Sequence, residues 1–306
     1  MPLAAGLPKD ERPTIVTVGT FDGVHLGHWQ VLTEIGERAR DRDGRSVLVT
    51  FHPHPLRVVR PEDAPRLLTT PDEKKEILAE SGVDYAVFLA FTPALREYSP
   101  RRFVEEVLVD SIGMDELVIG YDHGFGRGRS GDVETLRSVA QDLDFSVDVV
   151  KAVGGGERTI SSSGIRQALS QGRIEEANRW LGRPYSLRGV VVRGEGRGRA
   201  LGFPTANLHV QDLEKLVPPA GIYAVHGVLR AGRFMGALHI GPRPTFPGSP
   251  PSVELFLIDF EGDIYGEGVR VDFQSYLRGV EPFGSVQDLV DQMGRDVAQV
   301  RSVLAG

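Results

Sequence analysis

The stretch from Val16 to Leu32, Val-Thr-Val-Gly-Thr-Phe-Asp-Gly-Val-His-Leu-Gly-His-Trp-Gln-Val-Leu, leaves this chain few folds to choose from. Thr14 to Thr20 is β-branched and apolar, the composition of a strand covered on both faces. A glycine-punctuated turn containing Gly19, Phe21 and Asp22 follows, and then a helical pattern with Val31, Leu32, Ile35 and Ala39 on one face. A strand that runs through a tight turn into a helix is where open α/β sheets bind nucleotides. The helix start offers phosphate its unpaired N–H groups and the positive end of its dipole. His25 and His28, three residues apart in that start, can face one ligand.

The turn is not a Walker loop, because no Gly-Lys-Ser/Thr follows, and it is not a Gly-x-Gly-x-x-Gly dinucleotide fingerprint. His-x-Gly-His after a strand resembles instead the nucleotidyltransferase superfamily, whose members transfer a nucleoside monophosphate and release pyrophosphate.

Composition narrows the rest. The 306 residues suit two domains at about 150 residues each. No apolar run approaches the ~20 residues of a membrane span. Met1 to Glu11 has neither a basic nor an apolar segment of a secretion signal, so a cytoplasmic location without membrane attachment is expected. The absence of cysteine excludes disulfides, thiolate nucleophiles and thiolate metal sites. A formal charge of −7 argues against a nucleic-acid partner, and nothing implies an obligate protein partner.

In the first half, strands are expected at Ser46–Phe51, Val83–Phe91, Leu117–Tyr121 and Phe145–Val153. Helices alternate with them: Thr70-Pro71-Asp72-Glu73 is a capping box, Ser99-Pro100 opens a helix carrying Phe103, Val104, Val107 and Leu108 inward, and Asp132 caps another. This alternation predicts a doubly wound α/β, mostly parallel sheet. Three stretches stand at its ligand edge. Thr50-Phe51-His52-Pro53-His54-Pro55 reads either as a rigid loop or as a ligand wall, since its prolines cannot continue a ladder. The glycine- and arginine-rich segment from Gly120 to Asp132 suits an anionic ligand, or is a flexible loop. Ile160-Ser-Ser-Ser-Gly-Ile-Arg166 reads as an N-cap or as a phosphate clamp built from Ser161, Ser162 and Arg166.

Gly182-Arg183-Pro184 marks the boundary between a domain over 12–182 and one over 183–306. Beyond it come strands without intervening helices, Ser186–Arg193, Ile222–Leu229, Arg233–Ile240, Val253–Phe260 and Val269–Phe273, predicting a small antiparallel β-barrel. A final helix, capped at Ser285-x-x-Asp288, is expected to pack Val286, Leu289, Val290, Met293, Val297 and Val300 across the barrel. Chemistry concentrates in Gly194 to Asn207, where glycines including Gly196 and Gly198 let a loop approach phosphates. Thr205 and Asn207, two apart, place two oxygens on one side of an extended segment, a suitable pair for Mg²⁺. Glu254 alternates with apolar Val253 and Leu255; it is an ordinary exposed strand residue or, at a barrel mouth, a proton acceptor.

Taken in order, Gly-Thr-Phe-Asp-Gly-Val-His-Leu-Gly-His, Ile-Ser-Ser-Ser-Gly-Ile-Arg and Gly-Phe-Pro-Thr-Ala-Asn resemble the bifunctional bacterial riboflavin kinase/FAD synthetase family from Thr14 onward. The resemblance implies two ATP-dependent reactions, riboflavin to FMN and FMN to FAD. It implies Thr205 and Asn207 as Mg-ATP ligands with Gly196 and Gly198, and Glu254 as catalytic base. It further implies ATP contacts from Gly19, Phe21, Asp22, His25, His28, Ser161, Ser162 and Arg166, with His25, His28 and Arg166 stabilising charge. Flavin contacts are implied for Phe51, Pro53, Asp122, Phe125, Arg278 and Glu281. The sequence departs from the family pattern at His123, where an aromatic is usual, and at Ser163, where threonine is commoner.

Overall fold

The computed structural model describes residues 7–8, 11–120, 133–150, 160–194, 198, 201–241 and 252–305. The chain divides into two compact units, Met1–Ser162 and Ser163–Gly306.

In the first unit, β1 (Thr14–Val18) leads into α1 (Leu26–Asp41), and β2 (Arg45–His52) into a short α2 (Pro55–Val59) and then α3 (Pro71–Ala79). β3 (Tyr85–Ala90) is followed by α4 (Pro93–Arg96) and α5 (Pro100–Phe103), which continues as a π-helical stretch, Val104–Ile112. β4 (Glu116–Gly120), α6 (Val133–Leu143) and β5 (Ser146–Val150) complete the sheet. Its order is β3-β2-β1-β4-β5 and every pairing is parallel. The order reverses between β1 and β4, so the switch point where such sheets take ligands lies at the carboxyl end of β1.

Strand alternation explains the two-sided core. Val16, Val18, Val47, Val49, Leu117 and Ile119 pack against the π-helical stretch and α6 on one face. Their neighbours Ile15, Leu48 and Val118 pack against Val31, Leu32, Ile35 and Ala39 of α1 and Leu78 of α3 on the other. The stripe expected on α1 is therefore the buried one.

Helix starts follow one recipe. Thr70, Thr92 and Ser99 each cap a helix through a side-chain oxygen, with proline next in the chain. At Thr70 the capping box is complete: Thr70 Oγ1 accepts from Glu73 N and Glu73 Oε2 from Thr70 N. The cap expected at Asp132 lies outside the described residues.

α7 (Ser162–Ser170) starts at the last residue of the first unit; the second unit continues from it into α8 (Ile174–Leu181), β6 (Ser186–Val192), β7 (Thr205–His209), β8 (Gly221–Leu229), β9 (Gly232–Gly241), β10 (Ser252–Leu257) and β11 (Gly268–Arg278). These six strands form a closed antiparallel barrel ordered β10-β7-β6-β11-β8-β9. Five strands are expected from the sequence. The sixth, β7, is read there only as an extended segment, and the two flanking strands make it part of the barrel. β11 runs to Arg278, past the expected end at Phe273, because it stays paired with β8 through two irregularities in register. The terminal helix α9 (Val286–Leu304) packs on β8, β9 and β11. Val297 and Val300 make that contact, but Val286 is 65% exposed, so the expected stripe does not reach the first turn.

Candidate active sites

The turn after β1 is strained and heavily braced. Phe21, Gly23 and Val24 have φ of 45°, 83° and 38°. For a β-branched residue such as Val24 this conformation costs of the order of 1–3 kcal/mol and needs support from its surroundings. Asp22, 1% exposed, supplies it: its carboxylate accepts from Leu68 N, Thr69 N and Thr69 Oγ1. Gly23 N donates to Thr69 Oγ1 at 3.1 Å, and Ser162 Oγ donates to the Asp22 carbonyl at 2.9 Å. A Cβ on Gly19 would lie 3.0 Å from the Phe21 ring, so the ring would have to shift by a few tenths of an ångström to admit it.

His25 is the N-cap of α1 and His28 its third helical residue. The Nδ1 of His25 accepts from His28 N and the Nδ1 of His28 from His25 N, each at 3.3 Å. The rings stack at 3.6 Å between centroids, and Phe21 lies 4.6 Å from the His28 ring. Because each Nδ1 accepts, each neutral ring carries its proton on Nε2 and can donate there. The two histidines are thus brought together and aligned by the helix start itself.

Beside this turn lies a crevice lined by Thr20, Asp22, Phe51, His52, His54, Leu67, Thr69, Pro71, Lys74 and Phe88. Phe51 is half-buried and packs edge-on against Phe91 at 5.5 Å. The half-buried Pro53 follows a cis peptide bond, and His54 caps α2. Lys74 is buried, its Nζ donating to the Thr20 carbonyl at 2.6 Å. Sequence reasoning missed Lys74, because a lysine on an amphipathic helix reads as a surface residue. Ser161 immediately precedes α7, Ser162 opens it, and Arg166 stands on it one turn later. Asp122 and Phe125, expected at a flavin, lie outside the described residues.

In the barrel, three adjacent strands carry Asn207, Glu254 and His239 in one cross-strand row, with Glu254 in the middle. Val253, Leu255 and Leu257 are buried on one face of β10. Glu254 shares the other face with Phe256, which packs toward Val297 and Val300 of α9. It stands on the wall of the barrel beside the α9 contact. His239 Nδ1 is 3.9 Å from Glu254 Oε1. Burial holds the His239 imidazole below its ordinary pKa, with Glu254 opposing and Arg278 adding to the shift, so the ring is neutral at pH 7. Thr205 lies opposite Phe256, two residues before Asn207 on the same face of β7.

The glycine loop is held close to this row. A Cβ on Gly194 would lie 2.1 Å from the Asn207 amide nitrogen. One on Gly198 would lie 2.3 Å from the Phe203 carbonyl oxygen, and the Gly198 carbonyl accepts from Leu201 N and Phe203 N. Gly196 lies outside the described residues. Arg278 grips Asp296 of α9 through two hydrogen bonds, at 2.9 and 2.7 Å, and reaches the exposed Glu281 at 3.3 Å. The Asp296 bond is the main cause that raises the guanidinium pKa.

Comparison with known proteins fits this division. A family model described as FAD synthetase matches residues 7–164, and one described as riboflavin kinase matches residues 181–304. The chain belongs to the bifunctional riboflavin kinase/FMN adenylyltransferase family. Family members so named from Listeria monocytogenes and Escherichia coli K12 are each 34% identical to it, over 95% and 94% of this chain and 92% and 91% of theirs. One from Pseudomonas fluorescens is 35% identical over 98% of this chain and 96% of its own. A solved structure titled a macrolide-efflux protein from Streptococcus pneumoniae superposes with a TM-score of 0.88 at 31% identity, covering 96% of this chain and 95% of its own. Among the described residues no helix is long and apolar enough to cross a membrane.

Proposed function

We propose that the chain carries out two consecutive steps of flavin cofactor synthesis: ATP phosphorylates riboflavin to FMN in the barrel, and a second ATP adenylylates FMN to FAD in the sheet unit, releasing pyrophosphate. The observation that carries this reading is that one chain holds both family matches in this order, each over a unit with its own cluster of polar side chains. We assign 12–182 to the adenylyltransferase module and 183–306 to the kinase module, with α7 and α8 in the former.

For the kinase step, Glu254 is the base. The 5′-hydroxyl of riboflavin must lose a proton as it attacks the γ-phosphate, and a half-buried carboxylate with one oxygen near a neutral imidazole can take it. Thr205 and Asn207 would hold Mg²⁺: they offer a hydroxyl and an amide oxygen, hard donors, on the face of β7 next to Glu254. When bound, the ion would neutralise charge on the transferring phosphate. Gly194 and Gly198, and Gly196 between them, let the loop backbone close over ATP. Arg278 and Glu281 sit at the end of β11, where Arg278 holds α9 and can border the flavin.

For adenylyl transfer the nucleophile is the FMN phosphate, already anionic, so no base is needed. His25 and His28 donate from Nε2 to the α-phosphate, while Ser161 and Arg166 take the leaving pyrophosphate. Gly19, Phe21, Asp22 and Ser162 serve ATP by fixing the turn that presents the histidines. Phe51 and Pro53 border the flavin, with Asp122 and Phe125 assigned to the same ligand from the resemblance. The substrates, ATP and riboflavin, fit a cytoplasmic enzyme.

Chromatography of the purified chain incubated with riboflavin, ATP and Mg²⁺ tests the reading. FMN followed by FAD is the expected course; a folded chain that yields neither flavin refutes it.

A further inference from the structure

Lys74 is 7% exposed, while Lys75 and Glu76 beside it on α3 are exposed. Its Nζ donates to the Thr20 carbonyl at 2.6 Å and, among the described residues, makes no other hydrogen bond. Among the described residues, two of its three N–H groups are therefore unused. Asp22 is the nearby charge that favours the ammonium, but its carboxylate already accepts from Leu68 N, Thr69 N and Thr69 Oγ1.

Holding the turn does not account for a charge here. Thr50 Oγ1 already donates to the same Thr20 carbonyl at 3.0 Å, and a neutral donor would do the same work without the cost of burying an ammonium. Burial outweighs Asp22 and pushes the Lys74 pKa down to about 8, so the described residues leave the charge under-compensated. The side chain lines the crevice whose walls include Phe51, Phe88, His52 and His54. Aromatic walls beside an under-compensated cation suit a ligand with a flat ring and an anionic end.

We propose that Lys74 is a substrate-binding residue of the adenylyl-transfer site, its ammonium taking an oxygen of the FMN phosphate. This rests on assigning adenylyl transfer to the sheet unit. A phosphate arriving there supplies the missing counter-charge, so at pH 8 the complex holds more protons on Lys74 than the unliganded enzyme does.

The test uses the full chain and its Lys74→Met and Lys74→Arg variants, with Trp29 fluorescence in a Trp180→Phe background as the control for folding of the sheet unit and riboflavin phosphorylation as that for the barrel unit. Lys74→Met is expected to raise KM for FMN about tenfold or more and to leave KM for ATP unchanged, whereas Lys74→Arg retains most FMN affinity. Calorimetric titration of FMN at pH 8 in two buffers of different ionisation enthalpy should show proton uptake by the parent chain and none by Lys74→Arg. A rise in KM for ATP alone would assign Lys74 to the other phosphate source and overturn the proposal. A lower kcat with both KM values unchanged and no proton uptake would make it only a brace for the turn. If Lys74→Met fails to fold, proton uptake by the parent chain and Lys74→Arg decides. A parent chain that makes FMN but no FAD would refute the underlying assignment instead.

Discussion

His25 and His28 cap one helix reciprocally, each ring accepting the backbone N–H of the other residue at 3.3 Å. The arrangement joins two functions that are usually separate. Helix capping consumes both Nδ1 atoms, which fixes the tautomer and turns both Nε2–H groups into donors. His28→Ala is expected to abolish FMN-to-FAD conversion while riboflavin phosphorylation continues. His25→Ala should do the same and in addition lower stability by about 1 kcal/mol, the usual value of an N-cap. Product chromatography with each flavin substrate, paired with urea denaturation, checks both; loss of kinase activity in either variant would contradict separate sites.

Glu254 lies between Asn207 and His239 on neighbouring strands. Glu254→Gln preserves the shape and hydrogen-bonding reach of the side chain but cannot take a proton. It should lower kcat for riboflavin phosphorylation by about 10²- to 10⁴-fold, the range of general base catalysis, and leave KM for ATP and adenylyl transfer unchanged. A kcat within threefold of the parent would remove Glu254 from the role of base.

How far these sites were legible in the sequence depended on whether the deciding contact was local. The capping box Thr70–Glu73 and the stripe Val31, Leu32, Ile35 and Ala39 are settled within a few residues, and both stand in the structure as read. β7 was legible only as an extended segment, since Thr-Ala-Asn-Leu-His has little apolar alternation. Its strand character comes from Val190–Val192 on one side and Glu254–Phe256 on the other. Glu254 could be read as pointing away from Val253 and Leu255, but its neighbours Asn207 and His239 follow from barrel register, which no local pattern specifies. The family resemblance marks Arg278 as a flavin contact, but its firm partner Asp296, 18 residues later, has no signature in the sequence, because a buried aspartate on a helix looks like any exposed one.

Gly198 has a requirement that can be tested by one methyl group. A Cβ there would lie 2.3 Å from the Phe203 carbonyl oxygen, a backbone atom that cannot swing aside like a side chain. Gly198→Ala should therefore open the loop leading into Thr205 and Asn207, lowering riboflavin phosphorylation by about a hundredfold through misplacement. Gly202→Ala, where a Cβ would meet nothing within 4 Å but φ is +83°, should cost about 1 kcal/mol of strain and less activity. The order of the two variants in a kinase assay decides whether contact or backbone conformation governs this loop.

Lys74 makes a prediction about stability that is independent of any substrate. Burial lowers its pKa from 10.5 to about 8, so between those values the unfolded chain binds more protons than the folded one. Stability must then rise with pH across that interval. The sign is opposite to that of a lysine in a favourable ion pair: the cost of burying the ammonium is fully present below about pH 8 and is relieved as the folded state loses its proton. The fall from 10.5 to about 8 corresponds to roughly 3 kcal/mol at the upper end. Trp29 is the tryptophan of the first unit and Trp180 that of the second, so its fluorescence in a Trp180→Phe background follows urea unfolding of the sheet unit alone. The difference between that protein and its Lys74→Met derivative, measured from pH 7.5 to 10, cancels the other titrating groups. It should grow by at least 1 kcal/mol in favour of the lysine-containing chain as pH rises. A flat difference would mean that water or another group already compensates the Lys74 charge.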